Sequence, residues 1–234
     1  MIEPRVLAQG PFAPEQITVT VHTESNQLRT PAMEECIERE WARMTRDAEE
    51  RGKALWNGVT QRANAVAVTE QGVLQLELAP LDFKHRECVL AFPGYYDLPE
   101  VYWRKGVYVS AFVQTSDGWY VFVRLSGRST NNNFEECVGG VVGDELVVRT
   151  GQDLYRSFEI ELEQETAVPS DAIQENMLMG LYVGPDTNVG CHFETTLKDT
   201  RREVEQRFQE LGGDQVNSSL NCNTSQTLHT EYAS

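Results

Sequence analysis

Long apolar runs, basic charge and paired cysteines are scarce in this sequence of 234 residues. No apolar run approaches the roughly 18 residues that a membrane-spanning helix needs, so we expect no membrane segment. The opening residues, MIEPRVLAQGPF, lack the basic and apolar regions of a signal peptide. We therefore expect a cytoplasmic protein, with an organellar matrix after processing left open. The five cysteines form no C-x-x-C pair, which argues against the common zinc and thioredoxin-like motifs.

Basic residues are scarce relative to acidic residues. Lysine and arginine number 20 against 36 aspartates and glutamates, which gives a formal net charge of −16. A surface that binds nucleic acid by itself needs a basic face, so we expect no independent nucleic-acid binding. A local basic pocket, or a site that recruits a cation before a phosphate, stays compatible with this balance. Gly-x-Ser-x-Gly and Gly-Lys-Ser/Thr motifs are also missing, which argues against a hydrolase elbow and a P-loop.

Hydrophobic periodicity predicts mostly hairpins. Alternating apolar residues and Gly or Pro turns predict strands and hairpins, and apolar residues at helical spacing predict helices. Because the hairpins are adjacent and no crossover helices separate them, the sequence predicts an α+β fold with mixed or antiparallel sheets. The predicted strands are 17–21, 64–69, 73–78, 107–125 as one hairpin, 134–142 and 177–195 as a second hairpin, and the predicted helices are 31–52, 151–166 and 199–211.

Two segments lack a clear pattern. Residues 82–103 read as irregular, and their aromatic side chains are compatible with stacking on a base or with packing of a long loop. Residues 214–234 are polar and without periodicity, so we expect a tail that buries little surface.

The helix predicted at 151–166 carries the strongest chemical signal. Asp153, Ser157, Glu161 and Glu165 recur every four residues and therefore share one stripe. Glu161 and Glu165 repel each other at this spacing unless a cation lies between them. Carboxylate oxygens are ligands that suit Mg²⁺ or Mn²⁺. A solvated acidic face of an acidic protein is the alternative interpretation of the same stripe.

The segment around these acids resembles the signature of the Nudix hydrolase superfamily, in which Arg-Glu-apolar-x-Glu-Glu-x-Gly-apolar lies on a helix. Glu161, Leu162, Glu165 and Val168 match that pattern. Ile160 stands where the family has Arg, Gln164 where it has Glu, and Ala167 where it has Gly. The family's upstream glutamate falls on Gln152, beside Asp153, and the glycine-rich strand end falls on Gly139 and Gly140.

The resemblance implies an architecture. It predicts a Nudix-like α/β/α sandwich with a mixed sheet and an N-terminal strand-helix-strand extension, similar to the UDP-sugar pyrophosphatase branch. In this division residues 1–105 form the extension packed on the core, 106–211 form the Nudix-like core, and 212–234 form the polar tail.

The resemblance also implies an activity: hydrolysis of the diphosphate of a nucleoside diphosphate derivative, such as a UDP-sugar, with Mg²⁺ or Mn²⁺ as cofactor. Glu161, Glu165 and Asp153 would be metal ligands, and Gln164 would join the two glutamates as a catalytic group. Phosphate and substrate contacts would come from Arg124, Arg128, Gly139 and Gly140. The alternative is a weak or inactive binding or assembly subunit that recognises a nucleotide or an RNA 5′ end within a complex. A protein partner or a homodimer is left open.

Overall fold

The computed structural model describes residues 2–125, 135–143, 145–210 and 218–224. Four α-helices occur in these residues: α1 (Pro31–Glu50), α2 (Phe83–Cys88), α3 (Gly151–Thr166) and α4 (Arg201–Glu210). The strands are β1 (Arg5–Phe12), β2 (Ile17–Val21), β3 (Val59–Val68), β4 (Leu74–Asp82), β5 (Val107–Gln114), β6 (Trp119–Leu125), β7 (Glu135–Val141), β8 (Ile173–Val183), β9 (Val189–Leu197) and β10 (Ser218–Thr224).

Local sequence signals explain several of these boundaries. Pro31 occupies the first turn of α1, and the Thr30 hydroxyl accepts a hydrogen bond from the Met33 N–H at 3.2 Å. The hairpin of β5 and β6 turns at Gly118, whose φ of +87° is a conformation that glycine adopts without steric cost. The predicted elements at these positions are confirmed.

The strands form two sheets. The larger has seven strands in the order β1-β8-β9-β5-β7-β6-β10, and the smaller has the order β2-β4-β3. In the large sheet β5 runs parallel to β9 and antiparallel to β7, and in the small sheet β2 runs parallel to β4. Both sheets are therefore mixed, and the predicted α+β class is confirmed.

The main hydrophobic core lies where α3 packs on the large sheet. Leu154, Phe158 and Leu162 are fully buried, as their helical spacing predicts. Phe158 stacks on Phe193 of β9 with ring centroids 5.2 Å apart. Each such side chain contributes about 1.5–3 kcal/mol through removal from water, so this stripe fixes α3 on the sheet.

The polar C-terminal segment contains a strand that the sequence did not predict. Residues of β10 pair antiparallel with β6, from Ser218 opposite Leu125 to Thr224 opposite Trp119. The sequence analysis identified no strand in this tail, because backbone pairing at a sheet edge needs no hydrophobic periodicity. Residues 211–217 and 225–234 lie outside the described residues.

The N-terminal half contains two further elements that the sequence analysis missed. β1 pairs with β8 in the large sheet, although RVLAQGPF shows no alternation and contains Gly and Pro. α2 lies inside the segment read as irregular, and the Asp82 carboxylate caps it by accepting the His85 N–H at 2.7 Å. The domain boundary at residue 105 remains a prediction, since β1 joins the same sheet as β5.

The aromatic segment before β5 packs inward. Tyr95 is buried in a second hydrophobic cluster with Met33 and Ile37 of α1. Its hydroxyl accepts the Arg104 N–H at 2.7 Å and bonds with the Thr187 hydroxyl at 2.8 Å. Within the described residues no helix is long and apolar enough to span a membrane.

Candidate functional site

The first turn of α3 uses Asp153 as a cap. The Thr150 hydroxyl accepts the Asp153 N–H at 3.1 Å, and the Asp153 carboxylate accepts the N–H groups of Thr150 at 2.9 Å and Arg149 at 3.0 Å. This reciprocal capping box starts the helix at Gly151. Asp153 lies eight residues before Glu161, about 12 Å along the helix axis. The structure therefore does not bring Asp153 together with the other two predicted metal ligands.

Glu161 and Glu165 meet the glycine pair of β7. The Gly139 N–H donates a hydrogen bond to Glu165 Oε2 at 2.9 Å. A Cβ atom placed on Gly140 would lie 2.1 Å from both Cδ and Oε1 of Glu161. The Glu161 carboxylate thus occupies space that any other residue at position 140 would fill. The structure therefore brings the predicted glutamates and the predicted glycines together, although they are distant in sequence.

The two glycines are required for different reasons. A Cβ on Gly139 would lie 2.1 Å from the carbonyl oxygen of Val109, which is backbone of the neighbouring strand β5. A Cβ on Gly140 would meet the movable end of a side chain. Gly139 therefore allows β7 to pair closely with β5, whereas Gly140 allows the Glu161 carboxylate to approach the strand.

The Gln164 side chain is hydrogen-bonded to an acid that lies outside α3. Its Nε2 donates to both carboxylate oxygens of Glu145, at 2.8 and 2.7 Å. Glu145 lies in the segment between β7 and α3, and the sequence analysis did not single it out. The surrounding residues 146–148 are apolar, and no periodic pattern indicates that this acid returns to the helix. Contact with Gln164 adds Glu145 to the site.

The three departures from the family pattern lie side by side. Ile160, Gln164 and Ala167, together with Glu163, line an open depression of about 430 Å³ beside the acids. Ala167 ends α3 with φ +64°, a left-handed conformation that favours glycine. Where the family pattern places Arg, Glu and Gly, this chain therefore presents two aliphatic side chains and an amide.

The donor set fits a hexacoordinate cation that retains water. Among the described residues, no three His, Cys, Asp or Glu side chains form a cluster of the metal-binding kind. Mg²⁺ is commonly held by one or two carboxylates, with waters and substrate phosphates completing its shell. Two carboxylates converging on side-chain-free backbone meet that requirement. The predicted phosphate ligand Arg128 lies outside the described residues, and of Arg124 the backbone alone is described, within β6.

Comparison with known proteins gave structural matches alone. No protein-family model matches the chain, and no curated protein matches its sequence. Similar solved structures include DR0079 from Deinococcus radiodurans, with 20% identity, a TM-score of 0.39 and coverage of 56% of this chain and 74% of that one. A Nudix hydrolase from Nitrosomonas europaea has 14% identity, a TM-score of 0.38 and coverage of 56% and 79%. The Bacillus subtilis pyrophosphohydrolase BsRppH has 12% identity, a TM-score of 0.30 and coverage of 41% and 53%. TM-scores below 0.5 do not assign a family, so the function is inferred from the geometry of α3 and β7.

Proposed function

We propose that this protein is a Nudix-type hydrolase that cleaves the diphosphate of a nucleoside diphosphate derivative with the help of Mg²⁺. The observation that carries the proposal is the convergence of Glu161 and Glu165 on Gly139 and Gly140. Two carboxylates one helical turn apart, held against backbone that carries no side chain, are ligands that suit a Mg²⁺ ion shared with a phosphate chain.

The residues of α3 and β7 named above then have distinct roles. Glu161 and Glu165 would hold the cation, and the Gly139 N–H fixes the Glu165 carboxylate through its second oxygen. A divalent cation bound there would neutralise the diphosphate and lower the pKa of a bound water. Gly140 keeps the space beside Glu161 clear of a side chain. The predicted contribution of Arg124 and Arg128 is a bidentate hold on the phosphates.

The neutral residues at positions 160 and 164 lower the expected cation affinity. Gln164 supplies no charge, and its amide is engaged by Glu145. Ile160 cannot orient a neighbouring glutamate by a charge-assisted hydrogen bond, as an arginine would. We therefore expect a millimolar rather than a micromolar requirement for Mg²⁺.

Ile160 and Gln164, the same two departures from the family pattern, also support a second candidate function. The Gln164 amide bridges to Glu145, which holds two positions of the site together without a metal ion. A site held in this way suits a binding or assembly subunit that recognises a nucleotide and turns it over slowly. The nucleoside diphosphate would be its ligand instead of its substrate.

Formation of a nucleoside monophosphate from a panel of nucleoside diphosphate derivatives, including a UDP-sugar, with and without Mg²⁺ tests the proposal. Turnover should require Mg²⁺ and should disappear in Glu161→Gln, whereas Glu163→Gln, an exposed position of the same helix, should retain it. Turnover that persists in Glu161→Gln or in excess chelator would contradict the assignment. Nucleotide binding without turnover would favour the second candidate.

A further inference from the structure

A groove between the two sheets collects positive charge in this acidic protein. It lies where β1, at the edge of the large sheet, contacts β3 of the small sheet, and its volume is about 250 Å³. Among the described residues that line it, Arg5 and Lys105 are the cations and Glu100 is the acid. The walls between them are apolar and include Leu7, Val66 and Val189.

The two cations share one carboxylate. Arg5 Nη2 lies 2.9 Å from Glu100 Oε2, and Lys105 Nζ lies 2.7 Å from Glu100 Oε1. Burial acts to raise the pKa of Glu100, but the hydrogen bonds from Lys105 and Arg5 outweigh it and hold that pKa below its usual range. The trio therefore carries a net charge of +1 at neutral pH, in a chain whose formal net charge is −16.

A third positive charge lies behind the groove. Arg62 of β3 is 1% exposed, and its hydrogen bonds within the described residues go to neutral oxygens of Asn26, Asn64, Trp103 and Arg104. Burial lowers the pKa of Arg62 to about 10, so the guanidinium stays protonated at neutral pH. A buried charge of this kind is screened less than a surface charge.

The backbone that carries Lys105 is held rigidly. Three consecutive carbonyls are bound from β3: Trp103 and Arg104 by the Arg62 guanidinium, and Lys105 by the Ala63 N–H at 2.9 Å. Lys105 itself has φ +44°, which is unfavourable for a residue with a side chain. The Lys105 side chain is 17% exposed, so its ammonium is directed into the groove at the cost of backbone strain. Strain of this kind persists where the surrounding structure enforces it, and it is concentrated at ligand sites.

We propose that this groove binds a small oxyanion of the phosphate type through Arg5 and Lys105. The Glu100 carboxylate lies between the two cations, in the position that the anion would take. It moves away when the ligand binds. The groove is separate from the acids of α3, because Lys105 precedes β5 whereas Gly140 pairs with Val109 inside that strand. The proposal does not depend on the hydrolase assignment.

The test is titration of the full chain with inorganic phosphate in EDTA, at constant ionic strength maintained with NaCl, followed by calorimetry and thermal unfolding. Chelation removes the divalent cation, so the α3 site does not contribute. Arg5→Gln and Lys105→Gln should each weaken phosphate binding about fivefold or more, as expected for loss of one charge-assisted hydrogen bond. The matched controls Arg202→Gln and Lys53→Gln, both at exposed positions, should bind as the wild-type protein does.

Glu100→Gln separates a ligand site from a structural ion pair. If Glu100 competes with the ligand, this variant should bind phosphate several-fold more tightly and should gain more thermal stability from it than the wild-type protein. If the trio is structural, Glu100→Gln should lower the melting temperature and leave phosphate affinity unchanged. That result, or equal phosphate affinity of Arg5→Gln and its control, would overturn the proposal.

Discussion

Two regions of this molecule gather charges of one sign, and they do so by opposite means. Glu161 and Glu165 converge on backbone that carries no side chains, and the Gly139 N–H binds Glu165 there. Arg5 and Lys105 converge on an acid that the chain supplies itself, Glu100. In the first region the backbone and the glycines of β7 receive the like charges, whereas in the second region a side chain of opposite charge joins them. The comparison indicates that like charges can be brought together either by backbone or by a shared carboxylate.

The largest expected effect concerns the acidic region. Glu165→Gln keeps an oxygen that can accept the Gly139 N–H but removes one ligand charge. Hydrolysis of nucleoside diphosphate derivatives should fall about a hundredfold or more, because charge stabilisation at the phosphates is lost. Stabilisation of the fold by Mg²⁺, about 2.7 kcal/mol at a hundredfold excess over Kd, should disappear. Formation of the nucleoside monophosphate and thermal unfolding, each with and without Mg²⁺, measure the two effects.

Stability in the absence of metal should stay close to that of the wild-type protein in Glu165→Gln, because glutamine keeps an oxygen that can accept the Gly139 N–H. Glu163→Gln is the control for a charge change on the same helix. A Glu165→Gln protein that retains its Mg²⁺ response and its turnover would contradict the proposal that Glu165 binds the cation.

The two glycines of β7 allow a matched pair of substitutions. Gly139→Ala places a methyl group against the Val109 carbonyl and should destabilise the fold by about 2–3 kcal/mol, since backbone has to move. Gly140→Ala meets the Glu161 carboxylate, so it should cost less stability but most of the Mg²⁺ response. Chemical denaturation of both variants, with and without Mg²⁺, distinguishes them. Equal stability losses and an intact Mg²⁺ response in Gly140→Ala would contradict the placement of Glu161.

Deletion of residues 214–234 tests whether either region depends on β10. Loss of this strand exposes the β6 edge and removes its backbone ladder, which should lower stability by about 2 kcal/mol, or roughly 5 °C in Tm. The Mg²⁺ and phosphate responses should persist, because none of the residues assigned to either region belongs to β10. Unchanged thermal unfolding after the deletion would show that the pairing of β10 with β6 contributes little.

The smallest effect concerns the end of α3. Ala167→Gly relieves the left-handed conformation at φ +64° and should stabilise the fold by about 0.5–1 kcal/mol. Ala172→Gly, a buried position without positive φ, should destabilise it instead. Unchanged turnover in Ala167→Gly would mark this departure from the family pattern as a feature of backbone geometry. A change in Mg²⁺ affinity would place Ala167 within the acidic region.

Local rules predicted α3 and its neighbours well. The position of α3 follows from the spacing of Leu154, Phe158 and Leu162, which recur every four residues within one short segment. The hairpin at Gly118 and the capping of α1 by Thr30 are local in the same sense. Interactions between residues close in sequence therefore account for the correct part of the fold.

Long-range pairing accounts for the rest. β1 and β10 have little hydrophobic alternation and are strands because β8 and β6 offer unpaired backbone. The approach of Glu145 to Gln164 likewise depends on the path of the chain between β7 and α3. The groove at Lys105 unites residues of β1, β3 and the segment before β5, so no single stretch of sequence reveals it.

The order of strands in the large sheet has a consequence for synthesis on the ribosome. β6 pairs on one edge with β10, which is translated about 90 residues later. At roughly 5–20 residues of synthesis per second, the edge of β6 stays unpaired for several seconds or more before β10 leaves the ribosome. An open edge is a template for pairing with other chains. Slow translation of the region after β9, or ribosome stalling there, should therefore favour aggregation of this protein over folding.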